Sequence, residues 1–138
     1  MEISDSALFH SDNASRWLIA LGALSAALAV ALAAASAHAF PDLGSVQRAW
    51  LQTALDYQKF HALGLILVGL VAARYSGSRW ILSAGGLLLV GMLMFCGSLY
   101  LRSLFDFHDL RRLTPLGGAS FILGWLLLAI GVLRGRAA

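Results

Sequence analysis

Seven polar side chains stand close to the ends of long apolar runs: His38, Tyr57, Gln58, His61, Ser98, Tyr100 and Thr114. Tyr57 and His61 are four residues apart, and Gln58 and His61 three, so all three share one helix face. Polar groups at or just inside an apolar layer are costly and usually face other protein. Interhelical hydrogen bonding that fixes a bundle is the favoured reading. A site for a lipid or small molecule is the second. The third is a haem or metal on His38 and His61. Two histidines are too few for most closed metal sites, though two can be the axial ligands of a haem. No c-type haem motif is present. No cofactor is therefore expected, with haem or metal as the alternative.

A second set suggests anion chemistry. Thr114-Pro115 has the form of a helix start, with threonine as cap and proline at the first helical position. Gly117 and Gly118 keep that end bare, and Arg102, Arg111 and Arg112 are near in sequence. Free amides at a helix start attract anions, so a lipid phosphate is a candidate ligand. No catalytic pattern accompanies these residues. The chain has no phosphate-binding glycine loop, no paired carboxylates within an apolar run, and no serine with a matching base and acid. Cys96 sits inside an apolar run without a base close by and reads as a small buried hydrophobe. His10 and His108 read as solvated loop residues.

These side chains must be positioned by membrane helices. The chain has 138 residues, of which 59% are hydrophobic and only 12% charged. A soluble domain typically carries about 25% charged residues. The net charge of +3 comes from arginines at the ends of apolar runs, where they meet lipid headgroups. No basic stripe is interleaved with aromatics, which excludes nucleic acid as a partner.

A spanning helix needs about 20 mostly apolar residues. Four segments qualify, at about 17–40, 55–75, 80–101 and 114–133. The second requires Lys59 and Arg74 to reach the two headgroup layers, with Asp56 partly neutralising Lys59 at i,i+3. The fold expected is all-α, a four-transmembrane-helix bundle. A short amphipathic helix at about 45–54 lies at the interface and runs into the second span, with Ser45 as its cap. Residues 1–16 are expected as a polar tail. Ala37-His38-Ala39 has the spacing of a signal-peptidase site, but the acidic residues upstream and the long apolar run favour a retained span. Gly117, Gly124 and Gly131 recur every seven residues and predict a close-packing face on the fourth span.

Four alternating spans bring the end of the first, the start of the second, the end of the third and the start of the fourth to one membrane face. That face carries the polar cluster. The opposite ends carry Arg74, Tyr75, Ser76, Trp80, Arg134 and Arg136, an ordinary anchor set. Basic residues divide five to each side. The short middle loop, with Arg74 and Arg79 and no acid, favours both termini in the cytoplasm.

Several pieces carry a resemblance. Ala37-His38 closes the first span, and Tyr57-Gln58-Lys59-Phe60-His61-Ala62-Leu63 opens the second. Gly97-Ser98-Leu99-Tyr100-Leu101 closes the third, Thr114-Pro115-Leu116-Gly117-Gly118 opens the fourth, and Gly124-Trp125-Leu126 follows. In order and spacing the chain resembles the bacterial inner-membrane YgdD-like family, domain of unknown function four-two-three, which has a small mitochondrial transmembrane relative. It departs near His38, where Ala34-Ala35-Ser36-Ala37 replaces the family's glycine-rich run, and in its acidic N-terminal tail. The resemblance implies a four-span inner-membrane protein and no established activity. The function expected is that of a non-enzymatic accessory or scaffold subunit that binds membrane lipids and other integral membrane subunits.

Overall fold

The computed structural model describes residues 5–75 and 78–135, with the backbone alone for residues 5–12 and 108. Ser76 and Arg136 of the anchor set, and residues 1–4, lie outside the described residues. The order of elements is α1 (Asp5–Ala39), α2 (Ser45–Arg74), α3 (Arg79–Gly91), one stretch of π-helix (Met92–Cys96), α4 (Gly97–Phe105), a 3₁₀ turn (His108–Arg112) and α5 (Leu113–Arg134). The segment α3–π–α4 is one continuous rod, so the chain is all-α with four apolar rods long enough to cross a membrane.

The apolar runs fix the helices, because a backbone in lipid must satisfy its hydrogen bonds internally. The ends are set locally. α1 stops before Phe40-Pro41, and α2 starts after Gly44, whose amide donates to Gln47 Oε1 at 3.1 Å. Gly44, in extended conformation, is thus the cap position expected at Ser45. Arg48 donates to the carbonyls of Phe40, Pro41 and Leu43 at 3.3–3.5 Å and ties the intervening loop down. α4 ends where Asp106 adopts a left-handed conformation, φ 60°, which aspartate tolerates better than most side chains.

One boundary differs from that expected from the sequence. Residues 5–16, expected as a polar tail, are the first turns of α1. Once the alanine-rich run forms helix, each further residue adds one hydrogen bond without a new nucleus. Residues 45–54 and the second span form one unbroken helix. Its 30 residues extend about 45 Å at 1.5 Å per residue. That exceeds the ~30 Å hydrocarbon core, so the amphipathic first turns project into the headgroup layer.

Close packing follows the small residues. α1 lies on α2, where a Cβ at Gly22 would come within 2.7 Å of the Ala62 carbonyl and one at Gly69 within 2.8 Å of the Ser15 carbonyl. α5 lies on the third rod. Gly117, Gly124 and Gly131 receive Phe95, Leu88 and Ile81, both sets stepping by seven in opposite directions. The heptad glycines are therefore a packing face. α2 is the central helix and touches α1, α3, the π segment and α4. It has no comparable backbone seam with α5. Aromatic side chains fill that gap instead.

Candidate functional site

At the end of the bundle that carries the two outer loops, hydrogen bonds join all four rods. Gln58 Nε2 donates to the Ser25 carbonyl at 3.0 Å and reaches Ser25 Oγ at 3.3 Å. Its Oε1 accepts from the Tyr100 hydroxyl at 2.5 Å. One buried glutamine thus links α1, α2 and α4. Ser98 Oγ donates to the Phe95 carbonyl at 3.0 Å. With that hydrogen spent, the Thr114 hydroxyl is the donor in the 2.8 Å contact with Ser98 Oγ, which joins α4 to α5. Ser103 Oγ donates to the Gln47 carbonyl, and deeper in the bundle Ser120 Oγ donates to the Leu87 carbonyl.

His61 belongs to a second cluster, made of rings. It is 3% exposed. Its imidazole stacks on Phe121 with centroids 3.5 Å apart and planes 11° apart. Tyr57, Phe60 and Trp125 lie around it at centroid distances of 5.9, 5.1 and 6.2 Å. Phe95 meets Tyr57 at 4.5 Å and Phe121 at 5.6 Å. These rings enclose a groove of about 520 Å³ between α2 and α5, floored by the π segment and lined also by Asp56, Gly118 and Ile122. The Asp56–Lys59 ion pair, 3.0 Å, stands exposed at its rim. Five residues of helix from Asp56 to His61 correspond to about 7.5 Å of depth. The groove therefore runs from a charged rim, past aromatic walls, toward lipid-facing Ile122.

His38 joins neither cluster. The face of α1 turned inward carries Ser15, Leu18, Gly22 and Ala29. His38 lies nine residues beyond Ala29, which at 100° per residue is half a turn away, and it is exposed. Among the described residues, no hydrogen bond or ring contact joins it to His61, and no group of three or more metal-ligating side chains occurs.

The arginine set is dispersed as well. Arg102 is half-buried, with its guanidinium 4.1 Å from the centre of the Trp50 ring. Its Nε is buried without a hydrogen-bond partner among the described residues. Arg111 and Arg112 are exposed. The start of α5 is not bare, because the 3₁₀ turn leads straight into it and the Leu113 amide donates to the Leu110 carbonyl. No side chain caps it, and the Thr114 hydroxyl is spent on Ser98. Gly117 is buried under Phe95, whereas Gly118 lines the groove, where an added Cβ would meet Phe95 ring atoms at 3.8 Å.

Several site residues carried little sequence signal. Ser25 and Ser103 look like any small residue in an apolar run. Phe60, Phe95, Phe121 and Trp125 read as ordinary apolar residues, because convergence of three helices on one groove leaves no periodic trace. Ser120 had a usable sign, since it lies between Gly117 and Gly124 on the heptad face.

Residues 32–118 match the family described as "Protein of unknown function (DUF423)". The chain is 38% identical over 119 residues to the UPF0382 membrane protein YwdK of Bacillus subtilis, covering 84% of this chain and 95% of the relative. A UPF0382 membrane protein of Staphylococcus epidermidis is 41% identical over 118 residues, covering 84% and 94%. The UPF0382 inner membrane protein YgdD of Escherichia coli is 36% identical over 121 residues, covering 87% and 92%. No solved structure matches.

Proposed function

This chain belongs to the DUF423 family of small membrane proteins, and from that premise we propose that it is a non-enzymatic accessory subunit of the inner membrane that holds an amphiphilic lipid. The observation that carries this reading is the groove between α2 and α5. It is open to the side of the bundle, of small-molecule size at about 520 Å³, walled by aromatic rings and rimmed by an ion pair. Such a graded surface suits a molecule with a polar head and an apolar tail. Most of the polar side chains at this end are bonded to one another, so they hold the helices and leave the groove to bind. The outward face of α1, with Leu24 and Leu28 exposed, supplies a long apolar surface for a neighbouring subunit. The inner-membrane setting is that of the Escherichia coli relative's name. The short α2–α3 connection with Arg74 and Arg79 supports cytoplasmic termini.

Native extraction in mild detergent followed by mass spectrometry tests the proposal. The expected result is a complex carrying a retained lipid and a second membrane subunit. A bare monomer under conditions that preserve known membrane complexes contradicts it. A second reading, a haem on His61, draws support from the imidazole that lines this groove. An absorbance spectrum of the purified protein decides it, with a Soret band expected for haem and a flat visible spectrum against it.

A further inference from the structure

His61 holds an unspent hydrogen-bond acceptor. Its Nδ1 lies 2.8 Å from the Tyr57 carbonyl oxygen. A carbonyl only accepts, so Nδ1 carries the hydrogen. Charging a ring buried among aromatics would strand an ion without a counter-charge. The carboxylate that lines the groove, Asp56, is already held by Lys59 at 3.0 Å and Gln52 at 2.9 Å. The imidazole is therefore neutral, and its Nε2 presents a bare lone pair. Among the described residues nothing donates to that nitrogen, although the residue is 3% exposed and lines the groove. The nitrogen itself is not fully buried, so it opens into the groove. An acceptor facing an apolar groove without a donor is unfavourable, and a ligand that donates there relieves it.

We infer that the groove receives a quinol-type head: an aromatic ring whose hydroxyl donates to His61 Nε2, with an apolar tail leaving between Phe60 and Ile122 into the membrane. This inference rests on the amphiphile-binding role proposed above and names its ligand class. Phosphodiester and ester groups of phospholipids only accept hydrogen bonds, and a headgroup ammonium or glycerol hydroxyl donates but brings no ring. An aliphatic alcohol supplies the donor but no ring. The walls are Tyr57, Phe95, Phe121 and Trp125, and aromatic pairs gain from offset and edge contacts beyond the area they bury. The Tyr57 side chain, 44% exposed and one helical turn nearer the rim, offers a second hydroxyl to a second ring oxygen. Selectivity follows from the tautomer. The oxidised form of the same molecule carries carbonyl acceptors where the reduced form carries donors, so it meets the Nε2 lone pair with a lone pair. The site thus distinguishes reduced from oxidised quinone.

The test uses the full chain in detergent micelles under anaerobic conditions. Titration calorimetry measures binding of a short-chain alkyl benzoquinol and of the same benzoquinone. The quinol is expected to bind about tenfold more tightly, the scale of one hydrogen bond gained at an acceptor in an apolar groove. His61→Phe keeps a ring on Phe121 but removes the acceptor, and is expected to bind both forms equally. Equal binding by the unaltered protein, or a preference that survives H61F, overturns the inference. So does 1-dodecanol binding as tightly as the quinol, which would show that the ring contributes nothing. Gly118→Leu, which narrows the groove, separates this inference from the broader proposal. If dodecanol or phospholipid binding is lost in G118L without any preference for quinol, the quinol assignment falls and the amphiphile site stands. If no probe responds to G118L, both fall.

Discussion

At the residue scale, the bundle end is held by a few bonds whose loss is measurable. Gln58 bonds both Ser25 of α1 and Tyr100 of α4. Gln58→Leu keeps the volume and removes both links. Interhelical hydrogen bonds in membranes average about 0.6 kcal/mol and reach about 1.7, so the variant should lose roughly 1–2 kcal/mol in a denaturation series in detergent. Tyr100→Phe alone should lose less, and in the Gln58→Leu background almost nothing, because its partner is already gone. Additive losses would show that the Tyr100–Gln58 bond contributes no coupling. The sequence places Gln58, Tyr100, Ser98 and Thr114 at common span ends, which is enough to suggest contact. It does not reveal Ser25, because an isolated serine in an alanine-rich helix has no distinguishing neighbour. Nor does it reveal that His38 faces away, because α1 is apolar on every side and its periodicity carries no phase.

At the scale of elements, α5 and the third rod depend on glycine. A Cβ at Gly117 would lie 2.5 Å from the Phe95 backbone nitrogen, too close for any side-chain adjustment to relieve. Gly117→Ala should therefore displace α5 and lose on the order of 1–3 kcal/mol, the range for overpacking. Gly118→Ala, one residue on, meets only ordinary contacts at 3.8 Å. It should be neutral or slightly stabilising, since alanine favours helix over glycine by about 1 kcal/mol. Thermal unfolding of the two variants checks the contrast, and equal effects would contradict the packing account. The heptad of glycines was legible because spacing alone defines a face. The π segment at Met92–Cys96 was not, since Met-Leu-Met-Phe-Cys continues an apolar helix as well as any sequence does. It matters because it places Phe95 at once under Gly117 and beside Tyr57. The 3₁₀ turn before α5 was also hidden, because Thr114-Pro115 has the form of a capped start.

At the scale of the molecule, four apolar rods and the family follow from composition, run length and the ordered motifs. The groove does not, because it arises where α2 and α5 lack a common seam. The topology can be checked with single cysteines at exposed Arg79 and Arg111, in a Cys96→Ala background. A membrane-impermeant maleimide should label Arg79→Cys and Arg111→Cys from opposite sides, with Arg79→Cys on the cytoplasmic side. Labelling of both from one side would contradict the four-span arrangement. Photocrosslinking in the bilayer shows whether the groove is occupied. In bilayers containing an amphiphile with a diazirine in its apolar tail, adducts should concentrate on Phe60, Ile122 and Trp125. They should be sparse on Leu63 and Leu70, which are comparably open to lipid on α2, and Gly118→Leu should abolish the concentration. Adducts spread around the bundle in proportion to exposure, and unchanged by Gly118→Leu, would contradict the account.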